Sequence, residues 1–190
     1  IGKEKGVGRI AATNIMLTKR GPIFFSDTAI NINPSAKELA VIANMTATFM
    51  TTLGVKPNLA MLSYSNFGNS EHPEATKVTE AVALLHKYFP KLTVDGEIQA
   101  DFALTQTMLN DKFPFSKLNN NPVNGLIFPN LDSANISYKI LKSLNNIESV
   151  GPIVMGLNKP AHIIQYGSSI DEIVNMTCIA VVDAQEKAKQ

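Results

Sequence analysis

An α/β fold, with a mainly parallel sheet, flanking helices and a β-hairpin near the N-terminus, is predicted by three observations. Beyond the first 28 residues, strand-like runs alternate with runs of helical periodicity, joined by short connections. The run "GLIFP" (Gly125–Pro129) is short and wholly apolar, as a strand covered on both faces must be. Two strand-like runs, 9–17 and 23–28, flank the turn-rich "TKRGP", the pattern of a hairpin.

The elements follow in order. After "NPSAKE", Leu39, Ile42, Ala43, Thr46, Phe49, Met50 and Leu53 recur at three- and four-residue steps, and Gly54 is placed to end that helix. "NLAMLSY" is a strand. Pro73, after His72, suits a first helical position, with Val78, Ala81, Val82, Leu85 and Phe89 as the inner stripe. "LTVDGEI" is a strand, a helix begins near Gln99, and a Pro- and Asn-rich connection runs from Phe113 to Asn124. "GLIFP" then feeds a helix from about Ser133 to Leu144. Strands near "VGPIVM" and "AHII" and a helix from Ile170 to about Gln185 complete the pattern. Ser169, three residues before Glu172, has the spacing of a capping box at the start of that last helix.

A chain of 190 residues that is 45% hydrophobic suits one domain, or a domain and part of another, with a sizeable core. The net charge is +1 and the lysines are scattered, which argues against nucleic acid and anionic membrane as partners. No apolar run reaches membrane-spanning length and no signal-peptide pattern opens the chain. The single cysteine, Cys178, sits in "VNMTCIAVV", which reads as a buried helix, and cytoplasm is the compartment expected. The opening "IGKEKGVGRI" has no initiator Met and reads as the start of a piece of something longer.

In open α/β sheets, ligands bind beyond the carboxyl ends of the strands. Four segments lie there. "SYSNFGNSEHPE" sets Ser63, Ser65, Asn66, Asn69 and Ser70 around Gly68 ahead of a helix, which suits either an anion cradle or an ordinary turn. "VDGEIQAD" carries Asp95, Glu97 and Asp101. Oxygen ligands of this kind hold hard metals, but no histidine or further acid lies nearby in sequence, so the expectation is helix capping and local pairing, with no metal. In "FPNLDSANISYKILKSL", burial of Ile136, Ile140, Leu141 and Leu144 leaves Asp132, Asn135, Lys139 and Lys142 as a polar stripe. Lys139 is then a cation about two turns from the strand end, or part of a solvated face. The fourth segment, "HIIQYGSSIDEIV", has the capped helix start and Gly167 of an anion site, yet Gln165 and Tyr166 beside them are uncharged. The chain has two arginines, Arg9 and Arg20, both assigned to the first hairpin, so no guanidinium clamp for a transferring phosphoryl group is close by in sequence. His72, His86 and His162 show no metal-ligand spacing, and each suits a cap, a surface residue or a satisfied core group.

The ordered motifs "AMLSYSNFGNSEHPEATKV", "VDGEIQAD", "GLIFPNLDSANISYKIL", "VGPIVMGLNKPAHII" and "SSIDEIVNM" resemble the phosphate acetyltransferase and phosphate butyryltransferase family from about Arg9 to Gln185. The forms of the first two, with "FPFSKL", look closest to the phosphotransacetylase-like C-terminal domain fused to bacterial NADP-dependent malic enzymes. The resemblance implies a fold related to the isocitrate and isopropylmalate dehydrogenases, in which two α/β domains flank a cleft. Residues 1–158 would be the second domain, and 159–190 would return to a first domain mostly absent from this chain.

In active members the last loop carries Ser-Arg before Gly-Cys and then a carboxylate. These fall on Gln165 and Tyr166, Gly167 and Ser168, with Asp171 or Glu172 as the retained acid. Losing Ser and Arg removes groups that would hold phosphate during attack on a thioester. Lys139 matches the family's Tyr-Lys and "SYSNFGNS" its Ser-rich loop. Ser65, Asn66, Gly68, Asn69, Ser70, Asn135, Lys139, Gly167 and Ser168 are therefore the ligand-binding candidates, with acetyl-CoA or CoA as ligand. The resemblance further implies oligomer assembly and allosteric regulation by acetyl-CoA without catalysis, with NADP and a divalent metal confined to malic enzyme domains elsewhere. The alternatives are an active phosphate acyltransferase and a purely structural scaffold.

Overall fold

A computed structural model describes residues 1–5, 7–145 and 147–189. Strands β1 (Ala11–Thr18) and β2 (Gly21–Ser26) form the expected hairpin around Lys19-Arg20. They are followed by α1 (Ala36–Thr52), β3 (Asn58–Leu62), α2 (Pro73–Tyr88), β4 (Thr93–Ile98), the short α3 (Ala100–Leu104) and α4 (Gln106–Lys112), β5 (Gly125–Ile127), α5 (Leu131–Asn145), β6 (Ser149–Met155) and α6 (Ile170–Lys187).

The six strands form one mixed sheet in the order β4-β3-β5-β2-β1-β6. β2, β5, β3 and β4 pair in parallel, whereas β1 is antiparallel to both β2 and β6. Five strands therefore point one way and β1 alone is reversed, because its hairpin with β2 is too tight for a crossover.

Alternate strand residues supply two cores, as the period of two requires. Phe24, Leu59 and Met61 pack with Leu39, Ile42 and Met50 of α1, Val78 and Leu85 of α2, and Met176 of α6. Phe25, Ala60 and Leu62 point to the other face, against Ala103, Leu109, Leu118, Ala134 and Tyr138. α1 starts in a capping box of Ser35 with Glu38 and ends before Gly54, whose φ of +75° is the left-handed conformation that closes a helix at little cost to glycine.

Four sequence expectations are revised. No strand forms at Ala161–Ile164. Pro160 has no N–H to donate, and the His162 ring takes the Val154 amide that a neighbouring strand would have used (Nδ1, 3.3 Å). α5 is rotated from the predicted stripe: Ala134 and Tyr138 are its fully buried residues, while Ile136, Ile140 and Leu144 are exposed. Cys178 is exposed, because α6 buries only Met176 fully. Phe89 caps the end of α2 and is more than a third exposed. No described helix is long and apolar enough to cross a membrane.

Candidate functional site

At the carboxyl end of β4 the chain is forced into a shape that only glycine tolerates. Gly96 has φ +145°, and a Cβ there would stand 2.5 Å from the Met61 carbonyl oxygen of β3. This close approach turns Glu97 inward, where it is completely buried. Its Oε1 accepts from the Ser65 hydroxyl (2.9 Å) and the Gly68 amide (2.7 Å), and its Oε2 from the Thr79 hydroxyl (2.6 Å). Burial pushes the Glu97 carboxyl up, but the bonds from Thr79, Gly68 and Ser65 together outweigh it and hold the group below the usual glutamate value. The carboxylate is the pin on which the 63–70 loop hangs.

That pinning decides what the loop can offer a ligand. The Ser65 hydroxyl and the Gly68 amide are used on Glu97, and Asn66 Oδ1 accepts from the Gln99 amide at 2.8 Å. Asn69 remains exposed, and the Ser70 hydroxyl lies 3.0 Å from the Tyr64 hydroxyl. The side chains turned to the opening are Tyr64 and His72, whose rings are 6.5 Å apart. His72 Nδ1 caps α2 by accepting from the Glu74 amide.

A cleft of about 600 Å³ lies here, between the carboxyl ends of β3 and β5, lined by Ser63, Tyr64, His72, Glu74, Asn130 and Ser133 over the apolar Phe128 and Pro129. Its size and mixed lining suit a small-molecule site. Motif reading missed Tyr64, Asn130 and Ser133. Their signal was positional, since Tyr64 and Asn130 lie just beyond the parallel strands β3 and β5 and Ser133 in the first turn of the helix that follows β5.

The other acids are structural in their contacts. Asp95 Oδ2 accepts from the Ser116 hydroxyl (2.9 Å) and the Lys117 amide (2.8 Å), and His86 Nε2 lies 3.7 Å from Oδ1. A histidine is therefore close to Asp95 in space, which sequence distance concealed. Asp101 sits exposed in the first turn of α3. Among the described residues no group of three His, Cys, Asp or Glu side chains is placed to hold a metal ion. Asp27, passed over in the sequence, is a buried acceptor for the Ala12, Ala29, Ile30 and Asn31 amides and fixes the turn after β2.

On α5, Asn135 Nδ2 donates to the Thr28 carbonyl (3.1 Å), which ties the helix to that turn. Lys139, one turn further, is exposed and has no ion pair among the described residues. Lys142 pairs with Glu172 at 2.6 Å. The loop before α6 has the predicted cap: Ser169 accepts from the Glu172 amide, and Glu172 accepts from the Ser169 amide. Gln165, Tyr166 and Gly167 are exposed ahead of it, Tyr166 completely so, and Gly167 has φ +87°. Asp171 is exposed at the same end. None of the ligand-binding candidates lines the carboxyl-end cleft: Ser65, Asn66, Gly68, Asn69 and Ser70 lie in the loop beside it, Asn135 and Lys139 further along α5, and Gly167 and Ser168 ahead of α6.

Neither arginine serves this loop. Arg9, which precedes β1, pairs with Glu38 and donates to Asn31 Oδ1 at 2.8 Å, and Arg20 donates to the Leu104 carbonyl at 2.6 Å.

Residues 1–181 match the family described as phosphate acetyl/butaryl transferase. The chain is 40% identical over 97% of its length to an NADP-dependent malic enzyme of Escherichia coli K12, and covers 24% of that protein. It is 38% identical over 97% of its length to a phosphate acetyltransferase of Paracoccus denitrificans, covering 60% of it. A crystal structure of a phosphotransacetylase from Streptococcus pyogenes superposes with a TM-score of 0.90 at 36% identity, over 97% of this chain and 56% of that one. The chain thus spans about a quarter of its malic enzyme relatives and just over half of the phosphotransacetylase.

Proposed function

The chain belongs to the phosphate acetyl/butaryl transferase family, and from that premise we propose that it is the phosphotransacetylase-like C-terminal region of an NADP-dependent malic enzyme, a cytoplasmic protein. In this reading it binds acetyl-CoA as an allosteric ligand, contributes to subunit assembly and carries out no acyl transfer. Malate oxidation, with its NADP and divalent metal, would take place in other domains of the same protein.

One observation carries this reading. The turn before α6 presents Gln165 and Tyr166 where the active family has Ser and Arg, and both arginines of the chain are committed elsewhere. Acyl transfer to phosphate builds charge that a guanidinium normally stabilises, so the turn is unsuited to that step while its capped helix can still meet an anion. The carboxyl-end cleft, with Asn135 and Lys139 on the adjoining helix, is the proposed place for acetyl-CoA. The exposed apolar residues of α5 and α6, among them Ile140, Leu144, Ile173 and Val174, support burial against a further domain or subunit in the whole protein. This agrees with a two-domain, isocitrate dehydrogenase-like arrangement in which residues 159–190 return to a first domain.

Two measurements on the whole protein test the proposal. Acetyl-CoA titrated calorimetrically should bind, and Lys139→Ala should weaken it. Absence of binding at millimolar ligand would leave only a scaffold. Acetyl phosphate formed from acetyl-CoA and phosphate would establish the rival, an active acyltransferase. Because coupling between sites is reciprocal, ligands of the malate site must change acetyl-CoA affinity by the same factor as acetyl-CoA changes theirs.

A further inference from the structure

A second cleft lies at the opposite end of the sheet from the proposed acetyl-CoA site. It measures about 860 Å³ and opens at the amino ends of β2, β3 and β5, against the corner between α3 and α4. β3 joins the two clefts, with Asn58 at one and Leu62 at the other, about 13 Å apart by the rise of a strand.

The charge of this cleft is one-sided. Arg20 and Lys56 line it, no Asp or Glu does, and neither cation has an ion-pair partner among the described residues. Arg20 is also held in place. Its Nη1 donates to the Leu104 carbonyl at 2.6 Å, which ties the hairpin turn to the α3–α4 corner and leaves Nε and Nη2 with their donors. A guanidinium anchored in this way loses little freedom when it takes an oxyanion on its remaining edge.

The floor supplies a second, independent observation. Asn58 is more than nine-tenths buried and lines the cleft. Its amide nitrogen donates to the Pro122 carbonyl, but Oδ1 has no hydrogen-bond partner. Buried acceptors are rarely left unpaired, and one that is calls for a donor beside it. Ile23, Val55 and Val123 form the apolar remainder of the wall.

We propose that this cleft is a second ligand site, for a small phosphomonoester. A phosphomonoester is close to a dianion at neutral pH, which matches two unpaired cations, and a hydroxylated body brings donors for the floor. The site is independent of the acetyl-CoA reading, since it shares no lining residue with the carboxyl-end cleft.

Glycerol 3-phosphate and inorganic phosphate serve as probes, titrated by calorimetry and by the amide NMR shifts of Gly54, Val55 and Lys56. Glycerol 3-phosphate should bind and move those amides. Arg20→Gln and Lys56→Gln should each weaken it by about tenfold, the loss of one charge-assisted bond, while Lys139→Gln leaves it unchanged. Lys56→Gln alters an exposed side chain, so a folding defect in Arg20→Gln would not obscure the result. The proposal is overturned if neither probe shifts those amides, if succinate binds more tightly than glycerol 3-phosphate, or if Lys139→Gln abolishes binding while Lys56→Gln does not.

Discussion

Lys142 Nζ lies 2.6 Å from Glu172 Oε1, joining α5 to the first turn of α6. Glu172 also completes the capping box with Ser169, so one carboxylate secures both the start of the helix and its tie to the body of the protein. Its pKa is lowered first by the bond from Lys142 and then by the Ser169 amide, against a smaller upward push from burial.

Ser169→Ala should cost about 1 kcal/mol in urea denaturation, the usual value of a cap, and Lys142→Met less than that because the pair is partly exposed. Glu172 has a depressed folded pKa, so its contribution is present above 4.5 and disappears as pH falls through the lower folded value. Equal stability of wild type and Ser169→Ala would remove the cap from the account.

Glu97→Ala should be far more damaging, about 3 kcal/mol, because it strands the Ser65 and Thr79 hydroxyls and the Gly68 amide together. The stabilisation by Glu97 is likewise present above 4.5 and lost in more acid solution. Amide exchange of Phe67 and Gly68 measures this directly: protection retained in the variant would mean the loop does not depend on the carboxylate.

His162 predicts a separate limb at higher pH. Burial lowers its pKa, outweighing the upward pull of the Asp183 carboxylate, and Lys187 adds to the lowering. The Asp183 carboxyl, pushed up by burial, is held back by Lys187, which also pairs with Glu4. Below 6.5 the unfolded chain gains a proton that the folded His162 resists, so stability should decline as pH falls below 6.5, until the folded imidazole is itself protonated. His162→Gln, which can still accept from the Val154 amide, should flatten that limb. An unchanged slope would assign it elsewhere.

Tyr166 is completely exposed, so Tyr166→Arg should shift stability by less than about 0.5 kcal/mol. The double change Gln165→Ser, Tyr166→Arg in the whole protein tests whether these two positions alone withhold acyl transfer. Acetyl phosphate formation appearing in the double variant and absent from the wild type would place the loss there. Formation in both would refute the regulatory reading.

Much of the fold was readable from pattern because the pattern is local. The α1 stripe, the Pro73 start of α2, the hairpin and the Ser169–Glu172 box each depend on residues within a few positions of one another. The α5 stripe was misread because Ile136 and Ala134 compete for the core by size, and the sheet selected the small residue with Tyr138. Cys178 and Ile164 look like core residues in sequence, yet both are exposed among the described residues.

By itself the sequence determined the order of strands and helices, the capped start of α6 and the absence of an arginine beside it, since each is a property of neighbouring residues. Only the tertiary structure decided that Glu97 holds the 63–70 loop, that His86 meets Asp95, and that Arg20 and Lys56 share a cleft without an acid. The first and last of these join residues tens of positions apart and the second joins a helix to the strand that follows it, so distance along the chain does not report distance in the fold.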